Sequence, residues 1–227
     1  MEVVLDNLDL VVRAFTLTVL LFLISGVLSL VFGTMLAAMR VGPIGVLAKA
    51  AAVWVTVVRN TPLLVVLIFF RIGGPKVGLE FDFVDIVIGD FRINRLFAAC
   101  IAALTVYTST FVCEALRSGV NAVPLGQAEA ARAIGLPFGG TMTQVVLPQA
   151  VRASVPPLAS VQIALLKNTT LCGVFGVAEA YFRMAFFTNN EPAQRVGIFL
   201  SFALIFVFLV EIVSFFANRL ERRWRVA

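Results

Sequence analysis

Histidine is absent from all 227 residues, and charge is scarce at 14%. Without an imidazole the chain has no ordinary proton shuttle, no serine–histidine nucleophile and none of the commonest metal ligand, which argues against catalysis within it. Cysteine is sparse too: Cys100, Cys113 and Cys172 have neither disulfide nor metal spacing, fall in apolar runs and read as small packing residues. No Gly-x-x-x-x-Gly-Lys-Ser/Thr phosphate cradle occurs. The net charge is +5 and the isoelectric point ≈ 9.6, yet the basic residues are scattered along the chain and gathered at its end. Nucleic-acid recognition needs a continuous basic surface, so that partner is not expected.

Apolar length is what the chain has instead. It is 60% hydrophobic, with a mean hydropathy of +1.00. A helix needs about 20 apolar residues to cross a hydrocarbon core ~30 Å thick. Five such runs are present, at about 14–39, 48–70, 96–116, 157–178 and 196–217. The expected fold is therefore an all-α integral membrane protein, one multi-pass domain over residues 1–227 with no room for a soluble domain. The acidic opening MEVVLDNLD and the long apolar stretch behind it are unlike a cleavable signal, so the N-terminus is expected to be retained.

Lysine and arginine are held on the cytoplasmic side, whereas acidic residues count little. With five crossings the two ends lie on opposite sides. The tail NRLERRWRVA carries Arg219, Arg222, Arg223 and Arg225, and the link RVGPIGVLAK carries Arg40 and Lys49. Both are inside if the N-terminus is outside. The outer side then holds Glu2, Asp6, Asp9, Glu80, Asp82, Asp85 and Asp90; Arg71, Lys76, Arg92 and Arg95 are there as well, so the asymmetry is real without being absolute. Alternating apolar and acidic letters from Phe81 to Ile88 fit a short external strand or an interfacial helix, and a loop resting on headgroups is preferred to a docking surface.

Ser25, Ser29 and Gly33 recur every four residues and predict a close contact of the first helix with another inside the protein. The last helix is rich in phenylalanine with almost no small stripe, which places it at the lipid-facing periphery, Glu211 pairing locally or pointing to the headgroups. The hydroxyl run Thr105, Tyr107, Thr108, Ser109 and Thr110 suits packing, by bonding back to its own helix, as well as it suits a polar pore wall. Glu114 and Arg117, three apart, are expected to form an ion pair.

One stretch between the third and fourth runs is too polar to span a bilayer: GQAEAARAIGLPFGGTMTQVVLPQA, Gly126 to Ala150. Good helix formers fill Leu125 to Ile134, Gly135 supplies a left-handed stop, Pro137 opens a second short helix, and Pro148 is expected to end it. Glu129 and Arg132 by themselves need be no more than a surface ion pair. The wider pattern says more. Glu129, Ala130, Ala131, Gly135, Leu147 and Pro148, with Val145 in the aliphatic place, resemble the EAA loop of ATP-binding-cassette importers. The segments VRNTPLLVVLIFF (Val58 to Phe70) and PLASVQIALLKNTTL (Pro157 to Leu171) are similar to the RGTPLL and LKDTSL segments of permeases for polar amino acids. The likeness runs to about Tyr181 and is strongest to the permeases of actinobacterial glutamate-uptake systems, which share Asn60 for glycine and Asn168 for aspartate.

That resemblance implies a cytoplasmic helix-turn-helix coupling loop over about 118–150, with Gly126, Glu129, Ala130, Ala131, Arg132, Gly135, Leu136 and Pro148 seated against a separate ATPase. ATP and Mg would be bound by that partner, with no cofactor in this chain. It also implies a second, non-identical permease, two ATPase copies, an extracellular substrate-binding protein and a place in the bacterial plasma (inner) membrane. The substrate expected is glutamate, with glutamine or another polar amino acid as the alternative.

Polar residues within a membrane are costly, and each is a candidate for the substrate path. Pro62 cannot donate to the carbonyl of Val58, so the second helix should bend beside Arg59 and Thr61. Lys167, Asn168, Thr169 and Thr170 put a cation, an amide and two hydroxyls within one turn. These positions either meet an amino acid or line a gate, Arg59 and Lys167 pairing with freed carbonyls, Glu114 or Glu179. Two other classes stay open: a proton- or sodium-coupled carrier, which should show internal repeats and mid-membrane carboxylates, and a purely scaffolding subunit.

Overall fold

Long apolar runs without proline become long helices here, and most prolines stand where helices start, break or widen, Pro156 and Pro157 being carried inside one. The computed structural model describes residues 2–82, 84–88 and 91–224; Asp90 and Arg225, counted in the charge asymmetry, fall outside them. The helices are α1 (Glu2–Asp6), α2 (Leu8–Val41), α3 (Gly45–Asn60), α4 (Leu63–Ile68), α5 (Gly74–Lys76), α6 (Arg95–Asn121), α7 (Leu125–Ala133), α8 (Phe138–Thr141), α9 (Leu147–Asn168), α10 (Leu171–Val174), α11 (Ala180–Asn190) and α12 (Arg195–Trp224). Wide π-helical turns occupy Phe69–Gly73 and Met142–Val146. Strands β1 (Ile86–Ile88) and β2 (Phe91–Ile93) pair antiparallel, Val87 opposite Arg92, so only the end of the alternating segment is strand; its other described residues form no helix.

Three stretches, Leu8–Val41, Arg95–Asn121 and Pro192–Arg223, are long and apolar enough to cross a bilayer; α3 with Leu63–Lys76 makes a fourth only as a pair bent by 101°. The bend expected in the run 48–70 beside Arg59 and Thr61 is thus found, as a full break between two helices. Thr61 and Pro62 adopt extended backbone between the two helices. The carbonyls freed there still find donors: Thr61 N–H reaches Val58 at 3.2 Å and the Thr61 hydroxyl reaches Val57 at 2.8 Å. The break therefore leaves these groups satisfied.

The fourth run is corrected. Its helix is α9, which begins ten residues before the expected 157 and stops at Asn168, after which α10, a left-handed Gly176 (φ 92) and α11 follow. Pro148 does not end a helix. The π-turn at Met142–Val146 widens the backbone just before it, and the helix runs from Phe138 to Asn168 with Pro148, Pro156 and Pro157 inside. A proline's clash with the carbonyl four residues earlier, here Gln144, is relieved in such a wide turn.

Small residues set the spacing of the inner helices. Ser25, Ser29 and Gly33 are all buried, as the four-residue stripe predicts. A Cβ on Gly33 would lie 2.5 Å from Cβ of Val112 and 2.7 Å from the Ser109 carbonyl oxygen, so α2 and α6 nearly touch backbone to backbone. Gly119 does the same for α6 and α9, against Ser154 and Ala150. Leu21, Leu67, Leu104 and Leu165 fill the central core among α2, α4, α6 and α9. Phe15 stacks on Phe202 at 5.5 Å, which seats α12 on the start of α2, while Phe199, Leu204, Phe208 and Phe215 point outward. The peripheral position expected of the last helix is found.

These contacts make α2, α6 and α12 run one way and α9 the other. Below, the loop end is where α2, α6 and α12 finish and α9 starts; the hairpin end is the opposite one, beside β1 and β2.

Candidate functional site

The knob at the loop end is built by its own residues. Pro124 opens α7, and Ile134, Gly135 and Leu136 close it: Gly135 takes φ +92, its N–H donates to Arg132 at 2.9 Å, and the Leu136 N–H donates to Ala131 at 3.1 Å. That paired pattern is a Schellman stop, which requires the left-handed residue. A Cβ at Gly135 would meet nothing within 4 Å, so glycine is there for conformation and not for space. Pro137 then opens α8 as expected.

Ala131 and Val146 are buried, which places one side of α7 on the π-turn, and the amide of Gln149 donates to the amide oxygen of Gln127 to hold α7 on the first turn of α9. Gly126, Glu129, Ala130, Arg132 and Pro148 are exposed, and Leu136 is half-buried. Glu129 and Arg132 are not among the ion pairs of the described residues. Most telling, Leu125 and Ile134 stand 80% and 81% exposed at the two ends of this polar helix. The outward side of α7 thus offers two large apolar side chains flanking one acid and one base.

Just behind the knob, Glu114 of α6 accepts from Arg117 at 2.9 Å and also pairs with Arg40 of α2. The first pair was legible from its three-residue spacing; the second joins positions 74 apart and had no sequence signal. Together they tie the loop ends of α2 and α6 with a charge-assisted clamp.

The candidate path residues are not gathered into one pocket. Arg59 is exposed at the end of α3 and lies over the Phe111 ring at 5.8 Å. Lys167 is exposed and Asn168 half-buried. The hydroxyls of Thr61, Thr169 and Thr170 bond back to Val57, Leu166 and Lys167 at 2.8, 2.7 and 2.7 Å. From the Gly119–Ser154 crossing Phe111 is eight rises away and Lys167 thirteen, which sets them roughly 7 to 8 Å apart in depth. Neither cation pairs with Glu114 or Glu179, the partners the gate reading offered. In the hydroxyl run of α6, Ser109 and Thr110 serve packing, fully buried and bonding back to Val106 and Tyr107, whereas the buried Thr105 hydroxyl has no partner among the described residues.

Sequence reasoning gave Glu179 only a possible pairing, whereas its role is structural. It is fully buried, caps α11 by accepting from the Tyr181 and Phe182 N–H groups at 2.9 and 3.0 Å, and faces the hydroxyl of Thr18, which itself accepts from Ala180 N–H at 3.1 Å. It therefore docks α11 on α2. At the hairpin end a cavity of about 400 Å³ is lined by Arg71, Lys76, Glu80, Asp82 and Arg95, with Arg95 and Asp82 paired at 3.2 Å. No arrangement of three or more metal-binding side chains occurs among the described residues.

Comparison with known proteins agrees with this architecture. The sequence pattern of the family described as binding-protein-dependent transport system inner membrane component matches residues 12–226. A glutamate transport system permease protein of Corynebacterium glutamicum is 38% identical over 213 residues, 94% of this chain and 93% of that one. A probable glutamine ABC transporter permease protein of Bacillus subtilis is 34% identical over 221 residues, 96% and 95% of the two chains. Among solved structures, an amino acid ABC transporter crystallised with histidines superposes with a TM-score of 0.83 at 25% identity, covering 98% of this chain and 97% of that one.

Proposed function

Because the chain belongs to the family of binding-protein-dependent transport system inner membrane components, we propose that it is the permease subunit of an ATP-driven amino acid importer, that glutamate is the amino acid it carries, and that α7 is where a separate ATPase takes hold. The single observation carrying the coupling is the outward side of α7, where Leu125 and Ile134 stand exposed beside Glu129 and Arg132. Exposed apolar anchors ringed by charge mark a protein contact. The 38% identity to a glutamate permease supports the substrate.

The mechanism is a lever. Gln149 and the Ala131–Val146 packing fix α7 to α9, the Gly119 crossing fixes α9 to α6, and Glu114 with Arg40 fixes α6 to α2. A displacement of α7 by ATP-driven closure of the motor therefore moves three helices together, and the pathway alternates between its two sides. Five crossings are read here: α2, bent α3–α4, α6, α9 and α12, with the loop end in the cytoplasm of a bacterial inner membrane, where ATP is. A second, non-identical permease completes the pathway, and an external binding protein delivers substrate. A carrier driven by ions is not favoured, since Glu114 and Glu179 are both engaged in fixed structural contacts.

The test has two arms. A tagged chain isolated from its native membrane should bring down an ATPase, and Glu129→Ala or Gly135→Ala should weaken that association; isolation without any ATPase refutes the coupling reading. In a strain lacking the chain, restored uptake of labelled glutamate should be suppressed by excess glutamate and much less by arginine. If unlabelled arginine competes equally, the glutamate assignment is wrong while the permease assignment stands.

A further inference from the structure

On the side of the bundle away from the α6 contacts, α2, α9 and α12 leave an apolar crevice of about 580 Å³, lined by Leu30, Val155, Ala159, Ile212, Phe216 and Leu220 among others. Only Gln162 on its wall is polar. Its lining runs from Val155 to Leu166 on α9 and from Leu209 to Leu220 on α12. Each is eleven rises, roughly 16 Å, which is the depth of one leaflet of a hydrocarbon core about 30 Å thick. A crevice of that length reaches across about half the membrane, from the loop-end side at Val155 and Leu220 to just past the middle of α2 at Val19.

Its loop-end rim is cationic. Arg219 follows Phe216 by three residues and Arg223 follows Leu220 by three, so both stand on the α12 face that borders the crevice; Arg152 precedes Val155 by three on α9. Arg152, Arg219, Arg222 and Arg223 are all exposed. Arginines at this end follow from membrane topology alone, but topology does not require that they flank the open end of a leaflet-deep apolar slot. We propose that this crevice is a binding site for one anionic phospholipid of the leaflet at the loop end, an acyl chain lying along Leu30, Ala159 and Phe216 and the phosphate held by the arginines of α12 with Arg152. Basic groups at the mouth of an interhelical pocket recognise such headgroups by charge and bidentate hydrogen bonding. The site needs only the bilayer around α2, α9 and α12, so it stands whichever amino acid is carried.

The test uses the full chain with its co-purifying subunits, reconstituted into phosphatidylcholine and phosphatidylglycerol in equal amounts, one or the other brominated on its acyl chains. In a Trp54→Phe, Trp224→Phe background, Phe216→Trp reports from inside the crevice, and Phe215→Trp reports from the same depth on the outer face of α12. Brominated phosphatidylglycerol should quench the crevice reporter in preference to brominated phosphatidylcholine by roughly fivefold or more, the worth of one well-placed arginine. The combined variant Arg219→Gln, Arg222→Gln, Arg223→Gln should abolish that preference, and the Phe215→Trp reporter should show little of it. Equal quenching by both lipids, an equal preference at the outer reporter, or no bromine access to the crevice because protein fills it would each overturn the proposal.

Discussion

At the scale of single residues, two contacts decide whether α2 and α6 meet. Gly33 has no room for even a methyl group, because Val112 and the Ser109 backbone lie within 2.7 Å of where it would go. Gly33→Ala should therefore destabilise by ~1–3 kcal/mol through overpacking, read as a lower melting temperature in detergent. Gly126, which faces open space inside a helix, should tolerate alanine and gain up to ~1 kcal/mol of helix propensity. Equal melting of the two variants would mean that α2 and α6 are farther apart than described. Glu114 is the second case. Its removal leaves Arg40 and Arg117 facing one another without their carboxylate, at a cost below the ~3 kcal/mol of a fully buried broken pair because the Arg40 and Glu114 side chains keep 17% and 21% of their exposure. Arg40→Ala and Glu114→Ala combined should then destabilise less than the sum of the two singles by at least ~0.5 kcal/mol in a double-mutant cycle, and strict additivity would remove the clamp from the account.

At the scale of elements, the sequence was informative wherever the cause was local. The small stripe of α2, the Gly135 stop, the Pro137 start and the break at Thr61-Pro62 all follow from a few neighbouring letters, and all are found. Where the cause is tertiary the letters misled. Pro148 reads as a terminator, yet the π-turn before it, seated on α7 through Val146, lets the helix continue. The start of α9 was missed because Gln149, Arg152 and Ser154 dilute its apolar pattern, as suits an inner helix packed on protein rather than lipid. The candidate path residues were identified by polarity alone, which says nothing of depth; hence Arg59 and Lys167 were grouped although they stand at different levels. The α7 face offers the test belonging to this scale. Ile134→Asp should leave melting unchanged, since the side chain is exposed, while weakening retention of the ATPase by roughly tenfold, the loss expected of an interface anchor. Undiminished retention would move the docking surface off α7.

The whole molecule joins these elements into a unit with an exposed knob at one end and a charged cavity at the other. The knob is tied to α9, α9 to α6 and α6 to α2, while α12 rides on the outside against Phe15 with most of its aromatic rings turned outward. The ATP-driven motor proposed above could grip the knob only from the side where nucleotide is present, so the direction in which the chain crosses the membrane tests the proposal and is not a detail of topology. The basic residues alone decide it weakly, because Arg71, Lys76 and Arg95 at the hairpin end offset those of the tail. Chemistry can decide it strongly. Cys100, Cys113 and Cys172 are all buried and should stay silent toward a membrane-impermeant maleimide. A cysteine introduced by Gly126→Cys sits in open space on the knob, and one introduced by Glu80→Cys sits exposed beside the hairpin-end cavity. Intact cells should label the Glu80→Cys variant and spare Gly126→Cys, and inside-out vesicles should do the reverse. The opposite pattern would put the knob outside the cell, beyond reach of any ATP-driven motor, and the lever would have nothing to push it.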